Sequence, residues 1–289
     1  MPIPAPTKPG IEDAGRGPRE VRPRSNLHPF HRIPPMPPRP PTPMPRTTLI
    51  QGASRGIGLE LVRQCVARGD RVFATCRRPD EAGGLGALAQ QHPSLDVVAL
   101  DLVDEATIAG AADTVAARTD RLDLLINAAG LLHDGDLQPE KRLSHVRADH
   151  LQRVFAVNAF GPVLVMKHFA RFFEHGDPAV IANVSARVGS IADNGLGGWY
   201  AYRASKAAQN QFTRTAAIEL KRRNRAIAVI ALHPGTVETD LSAPFARRVK
   251  PEKLFSVDRA ARQLLDLCDG AGPESNGCFF AWDGSSIPW

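Results

Sequence analysis

A doubly wound α/β sheet of seven parallel strands, in a single domain, is the fold this sequence predicts, and three observations carry it. Seven short apolar runs rich in β-forming residues recur along the chain. Helix-length segments separate them, with apolar residues spaced i, i+3 and i+4, as at Leu59, Leu61, Val62, Cys65 and Val66. The runs are apolar throughout, the pattern of strands covered by helices on both faces of a parallel sheet.

The first run, "TTLIQGA" (47–53), leads into the turn "QGASRGIG" (51–58). Gly52 to Gly56 fits G-x-S-x-G, which would make Ser54 the nucleophile of a hydrolase elbow. Gly52, Gly56 and Gly58 also fit a glycine turn that cradles a dinucleotide phosphate. Position decides between them. An elbow sits deep in its sheet with strands before it, whereas only proline-rich sequence precedes this strand. A dinucleotide turn follows the first strand, with a helix N-terminus aimed at the pyrophosphate. Ser54, Arg55 and Ile57 therefore belong to a cofactor loop.

The second run, "RVFATC" (71–76), ends in Arg77 and Arg78 with no carboxylate before Asp80. An acid there would bind the ribose 2′-hydroxyl of NAD, whereas arginine suits a 2′-phosphate. Arg77, with Arg55, therefore selects NADP(H) over NAD(H). The third run, "LDVVALD" (95–101), closes on Asp101 and Leu102. The fourth, "LDLLINAA" (122–129), closes on "NAAG" (127–130), and the fifth, "AVIANVS" (179–185), on Ser185. The sixth, "AIAVIALH" (226–233), runs into "HPGTVET" (233–239), and "GCFFAW" (277–282) is the last.

Residues 1–46 hold 15 of the 25 prolines and no apolar run. They are expected to form a disordered, proline-rich extension, leaving 47–289 as the folded domain. The formal net charge is +6, of which +5 lies in residues 1–46 (eight Lys/Arg, three Asp/Glu). The domain thus has no basic excess that argues for nucleic acid. Cys65, Cys76, Cys268 and Cys278 show neither C-x-x-C nor metal spacing and read as reduced thiols of a cytoplasmic protein. The histidines are scattered without ligand spacing, so no metal is expected. No apolar stretch reaches the roughly 18 residues of a membrane span.

"YRASK" (202–206) opens a helix after Ser185, in the order turn, "NAAG", serine, tyrosine, lysine. With these motifs the chain resembles the short-chain dehydrogenase/reductase family over residues 47–289, and its "SARVGSIADNGLGGWYAYRASKAA" resembles the C-factor-like carbonyl reductases. The resemblance implies a Rossmann fold, a nicotinamide cofactor and exchange of hydride with a carbonyl or alcohol. It also implies an Asn158 that holds a proton-relaying water and an adenine contact at Asp101 and Leu102. The cleft wall would run from Asn127 through Ala128 to Gly130, and Pro234, Gly235, Val237 and Thr239 would lie around the nicotinamide. Homodimers or larger homo-oligomers are common in the family. Gln51 departs from the usual Thr and loses a hydroxyl that would tie the loop to its neighbours; Ala128 departs from a second Asn.

The chemistry also follows from residue types. Hydride transfer to a carbonyl leaves charge on oxygen, which needs a proton donor. Tyr202 can donate, and Lys206, four residues on, lies on the same helix face. A cation about 4 Å away at an effective dielectric near 20 is worth roughly 4 kcal/mol, or about 3 pKa units, enough to bring the phenol toward neutrality. Ser185 can hold the carbonyl oxygen. Tyr200 has Ala204 in the corresponding place and so lacks a lysine. The rival expectation is a cofactor-bound signalling or interaction protein with little turnover. The apolar segment 146–173 is expected to form one helix and to supply a self-association surface.

Overall fold

The seven apolar runs become strands because each is short, rich in β-branched or aromatic residues and bounded by glycine, proline or polar residues. The computed structural model describes residues 45–246 and 250–289. It contains β1 (Thr47–Gln51), β2 (Arg71–Cys76), β3 (Leu95–Ala99), β4 (Leu124–Asn127), β5 (Ala179–Val184) and β6 (Ile227–His233). A short parallel pair, β7 (Thr236–Val237) and β8 (Leu254–Phe255), precedes the final strand β9 (Phe279–Ala281). The main sheet runs β3-β2-β1-β4-β5-β6-β9, parallel at every pairing. This is the expected seven-stranded, doubly wound Rossmann arrangement. The winding reverses between β1 and β4, so a crevice opens at their C-terminal ends.

The helices are α1 (Gly56–Ala67), α2 (Gly83–Gln91), α3 (Glu105–Ala116), α4 (Ala148–Phe155), α5 (Gly161–Phe169), α6 (Tyr200–Leu220), α7 (Ala243–Ala246) and α8 (Val257–Gly270). Adjacent strand residues feed opposite layers. Ile50 and Ile126 pack with Leu61 and Val62 of α1 and Leu264 of α8. Their neighbours Leu49 and Leu125 pack with Ile108 of α3, Phe169 of α5 and Ala217 of α6. Both faces are therefore dry, which is why the strands do not alternate with polar residues. All four cysteines are free and buried.

The segment 146–173 is helical without a break from Ala148 to Phe173, though not uniformly α. A π turn, Ala156–Phe160, separates α4 from α5, and a 3₁₀ turn, Ala170–Phe173, follows. Val154, Met166, Phe169, Phe172 and Phe173 are buried, so most of the apolar surface expected to be in excess is consumed inside the chain. Phe155, Val157, Val163 and Leu164 remain half-buried, and Phe160 is 49 % exposed.

The proline-rich extension lies, up to residue 44, outside the described residues. Arg46 is part of the domain. Its backbone N–H donates to Asp70 Oδ1 at 3.1 Å, and its guanidinium lies 2.9 Å from Asp269 Oδ1. Arg68 bonds both of these buried carboxylates. Deletion of residues 1–43 is therefore expected to leave the melting temperature and cofactor affinity unchanged. A thermal melt in which that truncation lost several degrees would show that the extension packs.

Candidate active site

Two backbone N–H groups, from Gly52 and Ala53, donate to Thr75 O at 3.0 and 2.9 Å and draw the glycine turn onto the end of β2. Gly52 has φ +85, and a Cβ there would lie 2.7 Å from that of Ala129; one at Gly58 would lie 2.0 Å from Gly52 O. A Cβ on Gly56 would stand 3.5 Å from the Thr239 methyl, so the turn faces "HPGTVET". No side chain caps α1, and its first turn carries no acidic residue. An uncapped helix N-terminus beside a glycine turn fits a pyrophosphate.

Around the turn, Gln51 Oε1 accepts from Ala129 N–H at 3.4 Å. Ser54, Arg55 and Arg77 are exposed and Ile57 half-buried. Arg55 pairs with Asp240 at 3.1 Å. Asp101 Oδ1 accepts from Val103 N–H. The Leu102 side chain is turned into the core, 2.6 Å from where a Gly161 Cβ would stand. Asn127 is fully buried and donates to Asn183 Oδ1 at 2.7 Å. Its side chain therefore lies within the sheet, while Ala128 is half-buried against the core and Gly130 is exposed. Pro234 and Val237 are buried; Gly235 has φ +80, and a Cβ there would strike the Phe255 ring at 2.6 Å.

The four residues with candidate chemistry come together from three segments. Asn158 sits in the π turn, a form that is frequent at functional sites. Its Oδ1 accepts from Leu131 N–H at 2.7 Å, and its Nδ2 donates to Leu131 O and Ser205 Oγ. A Cβ on Gly130 would lie 3.7 Å from Asn158 Oδ1 and 3.9 Å from Lys206 Nζ, so both atoms border the space that Gly130 leaves. Ser185 follows β5 and donates to Asn210 Oδ1 at 2.6 Å. Lys206 donates to Val184 O at 2.8 Å and to Gln209 Oε1 at 2.9 Å, with Nζ 5.9 Å from the centre of the Tyr202 ring.

The electrostatics differ from the expected pairing. Burial pushes the Tyr202 phenol up to about 12 and the Lys206 amine down to about 7. The i, i+4 spacing does put both groups on one face. That face is covered, and the lysine is directed to Val184 O and Gln209, so desolvation outweighs attraction. Gln209, Asn210 and the buried Glu140, whose Oε2 accepts from Ala201 N–H at 3.1 Å, escaped sequence reasoning. Each looks like an ordinary polar residue until the fold surrounds it.

Among the described residues, no cluster of three or more His, Cys, Asp or Glu side chains is placed to hold a metal, and no helix is long and apolar enough to cross a membrane.

Comparison with known proteins agrees with this fold. The family model for short chain dehydrogenase matches residues 46–250. An uncharacterized oxidoreductase of Schizosaccharomyces pombe is 30% identical over 251 residues, covering 83% of this chain and 96% of that protein. C-signal of Myxococcus xanthus is 36% identical over 177 residues, covering 59% of this chain and 95% of its own. Among solved structures, an NADPH-bound carbonyl reductase from chicken fatty liver is 31% identical with a TM-score of 0.77, covering 85% of this chain and 94% of that one.

Proposed function

This chain belongs to the short-chain dehydrogenase family, and from that premise we propose that it is an NADP(H)-dependent carbonyl reductase acting on a small-molecule carbonyl or alcohol. The observation that carries this reading is the placement of Asn158 Oδ1 and Lys206 Nζ around the space at Gly130, close to the glycine turn and the uncapped start of α1, with Tyr202 on the same helix as Lys206. When bound, NADPH supplies the hydride. The chain's own residues manage the oxygen. Tyr202 donates its phenolic proton to it, and Ser185 turns its hydroxyl from Asn210 toward the same atom. Lys206 borders the space between the phenol and Asn158, where protons are replenished. The first-turn amides of α1 would hold the pyrophosphate, and Pro234, Gly235, Val237 and Thr239 would bound the nicotinamide end. Oxidation of NADPH in the presence of a panel of aldehydes and ketones tests the reading.

NADPH should bind more tightly than NADH. Arg77 is exposed at the end of β2, and the Arg55–Asp240 pair is 74 % and 78 % exposed, hence weak and able to yield Arg55 to a 2′-phosphate. A hydrogen bond to a charged group contributes about 1.5–3 kcal/mol, so Arg77→Asp should reverse a preference of about tenfold or more. Equal wild-type affinities in a fluorescence titration would refute this.

Likeness to C-signal favours a second reading, a cofactor-bound signalling protein with little turnover; NADPH binding without reduction of any carbonyl in the panel would select it. Buried, unpaired cysteines support a reducing compartment, the cytoplasm. The strip of Phe155, Phe160, Val163 and Leu164 supports a homodimer or larger homo-oligomer. Sedimentation at micromolar concentration should show association, weakened by Phe160→Asp; a monomer throughout would refute it.

A further inference from the structure

Trp199 is the one non-glycine residue among those described whose backbone is left-handed, at φ 54 and ψ 45. That region disfavours every L-residue with a bulky side chain, and such outliers cluster where a side chain must be held in place. Here the surroundings over-determine it. Trp199 N–H donates to Glu140 O, the Glu140 carboxylate accepts from Ala201 N–H, and Arg203 Nε donates to Gly198 O at 2.9 Å. The strain directs the indole toward the candidate site. Its ring centre lies 6.2 Å from that of Tyr202, edge to face at 79°, and 4.9 Å from that of Phe245.

Phe245 belongs to α7, and its ring also meets His133 at 6.1 Å and 66°. His133 Nε2 lies 3.2 Å from the carbonyl oxygens of both Asp240 and Leu241, which ties down the segment leading to Phe245. These three rings are half-buried, unlike the aromatic residues of the core. The loop leading to Trp199 also presents Ile191 and Leu196, 78 % and 94 % exposed.

We propose that Trp199, Phe245 and His133 form an aromatic wall beside Tyr202 that selects carbonyl compounds bearing an aryl ring on the carbonyl. This rests on the reading of Tyr202 as the proton donor. A carbonyl held at its hydroxyl brings the attached group alongside these rings. Aromatic pairs prefer centre separations of about 4.5–7 Å, the range the wall already uses internally. A planar ring gains this quadrupolar contact, whereas a saturated ring of the same size gains burial alone. The difference is roughly 3- to 10-fold per ring pair.

Size-matched pairs test the proposal: benzaldehyde against cyclohexanecarbaldehyde, and acetophenone against cyclohexyl methyl ketone, each with NADPH. The aryl member should be favoured by about tenfold in kcat/KM, mainly through KM. Trp199→Gly deletes the ring while retaining a residue at ease in the left-handed backbone, and Phe245→Leu keeps apolar bulk. Both should reduce the aryl-to-cyclohexyl ratio to within about twofold. A wild-type ratio near one, or variants that keep the wild-type ratio, would overturn the wall. Equilibrium dialysis of acetophenone and cyclohexyl methyl ketone against Tyr202→Phe protein saturated with NADP⁺ separates this from the enzymatic reading. If wild type reduces nothing yet the aryl ketone binds selectively and Trp199→Gly abolishes that selectivity, the wall stands and the reductase reading falls. Absence of aryl-selective binding overturns the wall whatever the turnover.

Discussion

Tyr202→Phe should lower kcat for carbonyl reduction by about 10² to 10⁴ while leaving NADPH affinity within about twofold of wild type. Phenylalanine keeps the ring that packs against Trp199 and removes the proton the oxygen requires. The loss should appear in kcat and kcat/KM alike, as for a contact made in the transition state. Tyr200→Phe is the control. Tyr200 is 38 % exposed at the start of α6, so its change should be small. Ser185→Ala should be milder than Tyr202→Phe, because it removes orientation and keeps the acid. The direction of the pKa shift adds a pH signature. A phenol raised to about 12 by burial stays protonated through neutrality, so reduction should not decline between about pH 6 and 9 on its account. Alcohol oxidation needs the phenolate and should climb with pH over the same range. Tyr202→Phe retaining more than about a tenth of wild-type turnover would contradict the assignment.

Gly58→Ala should lower the melting temperature by several degrees and weaken NADPH binding at least tenfold. The added Cβ would stand 2.0 Å from Gly52 O, a backbone atom in a turn whose N–H groups are held by Thr75 O. The turn cannot retreat, so the first turn of α1 must move and carry its amides out of line. Overpacking of this kind costs about 1–3 kcal/mol, and for a domain of this size each kcal/mol lowers the melting temperature by roughly 2–4 °C. Gly110→Ala is the counter-experiment. It lies inside α3 with nothing within 4 Å of an added Cβ, and should stabilise by about 1 kcal/mol. A thermal melt and a fluorescence titration on both variants decide the matter. Equal behaviour of the two would mean that the turn is looser than its contacts imply.

The seven strands of the main sheet, their parallel winding and the glycine turn after the first of them were legible in the sequence, because each rests on local pattern or on order along the chain, whereas the short β7–β8 pair was not. An apolar run bounded by breakers has few options, and a glycine turn after the first strand has one natural place in a doubly wound sheet. The order serine, tyrosine, lysine likewise placed Ser185, Tyr202 and Lys206 at the C-terminal edge. Tertiary structure alone decided what surrounds them. The π turn that brings Asn158 to Leu131 and Ser205 left no trace in the spacing of 146–173, because its bonds are made to residues 27 and 47 positions away. The same holds for Gln51, which reaches across to Ala129 from a position that sequence reasoning counted as a loss. Tyr202 and Lys206 were correctly set on one face, but the sign of their perturbation was not readable. Spacing determines how near two groups are, whereas desolvation depends on everything that covers them. Trp199, Phe245 and His133 converge from three separate segments, and the glutamate that braces Trp199 comes from a fourth stretch of chain. Periodicity is a local property of a polypeptide; burial and side-chain partnership are set by residues far apart in it.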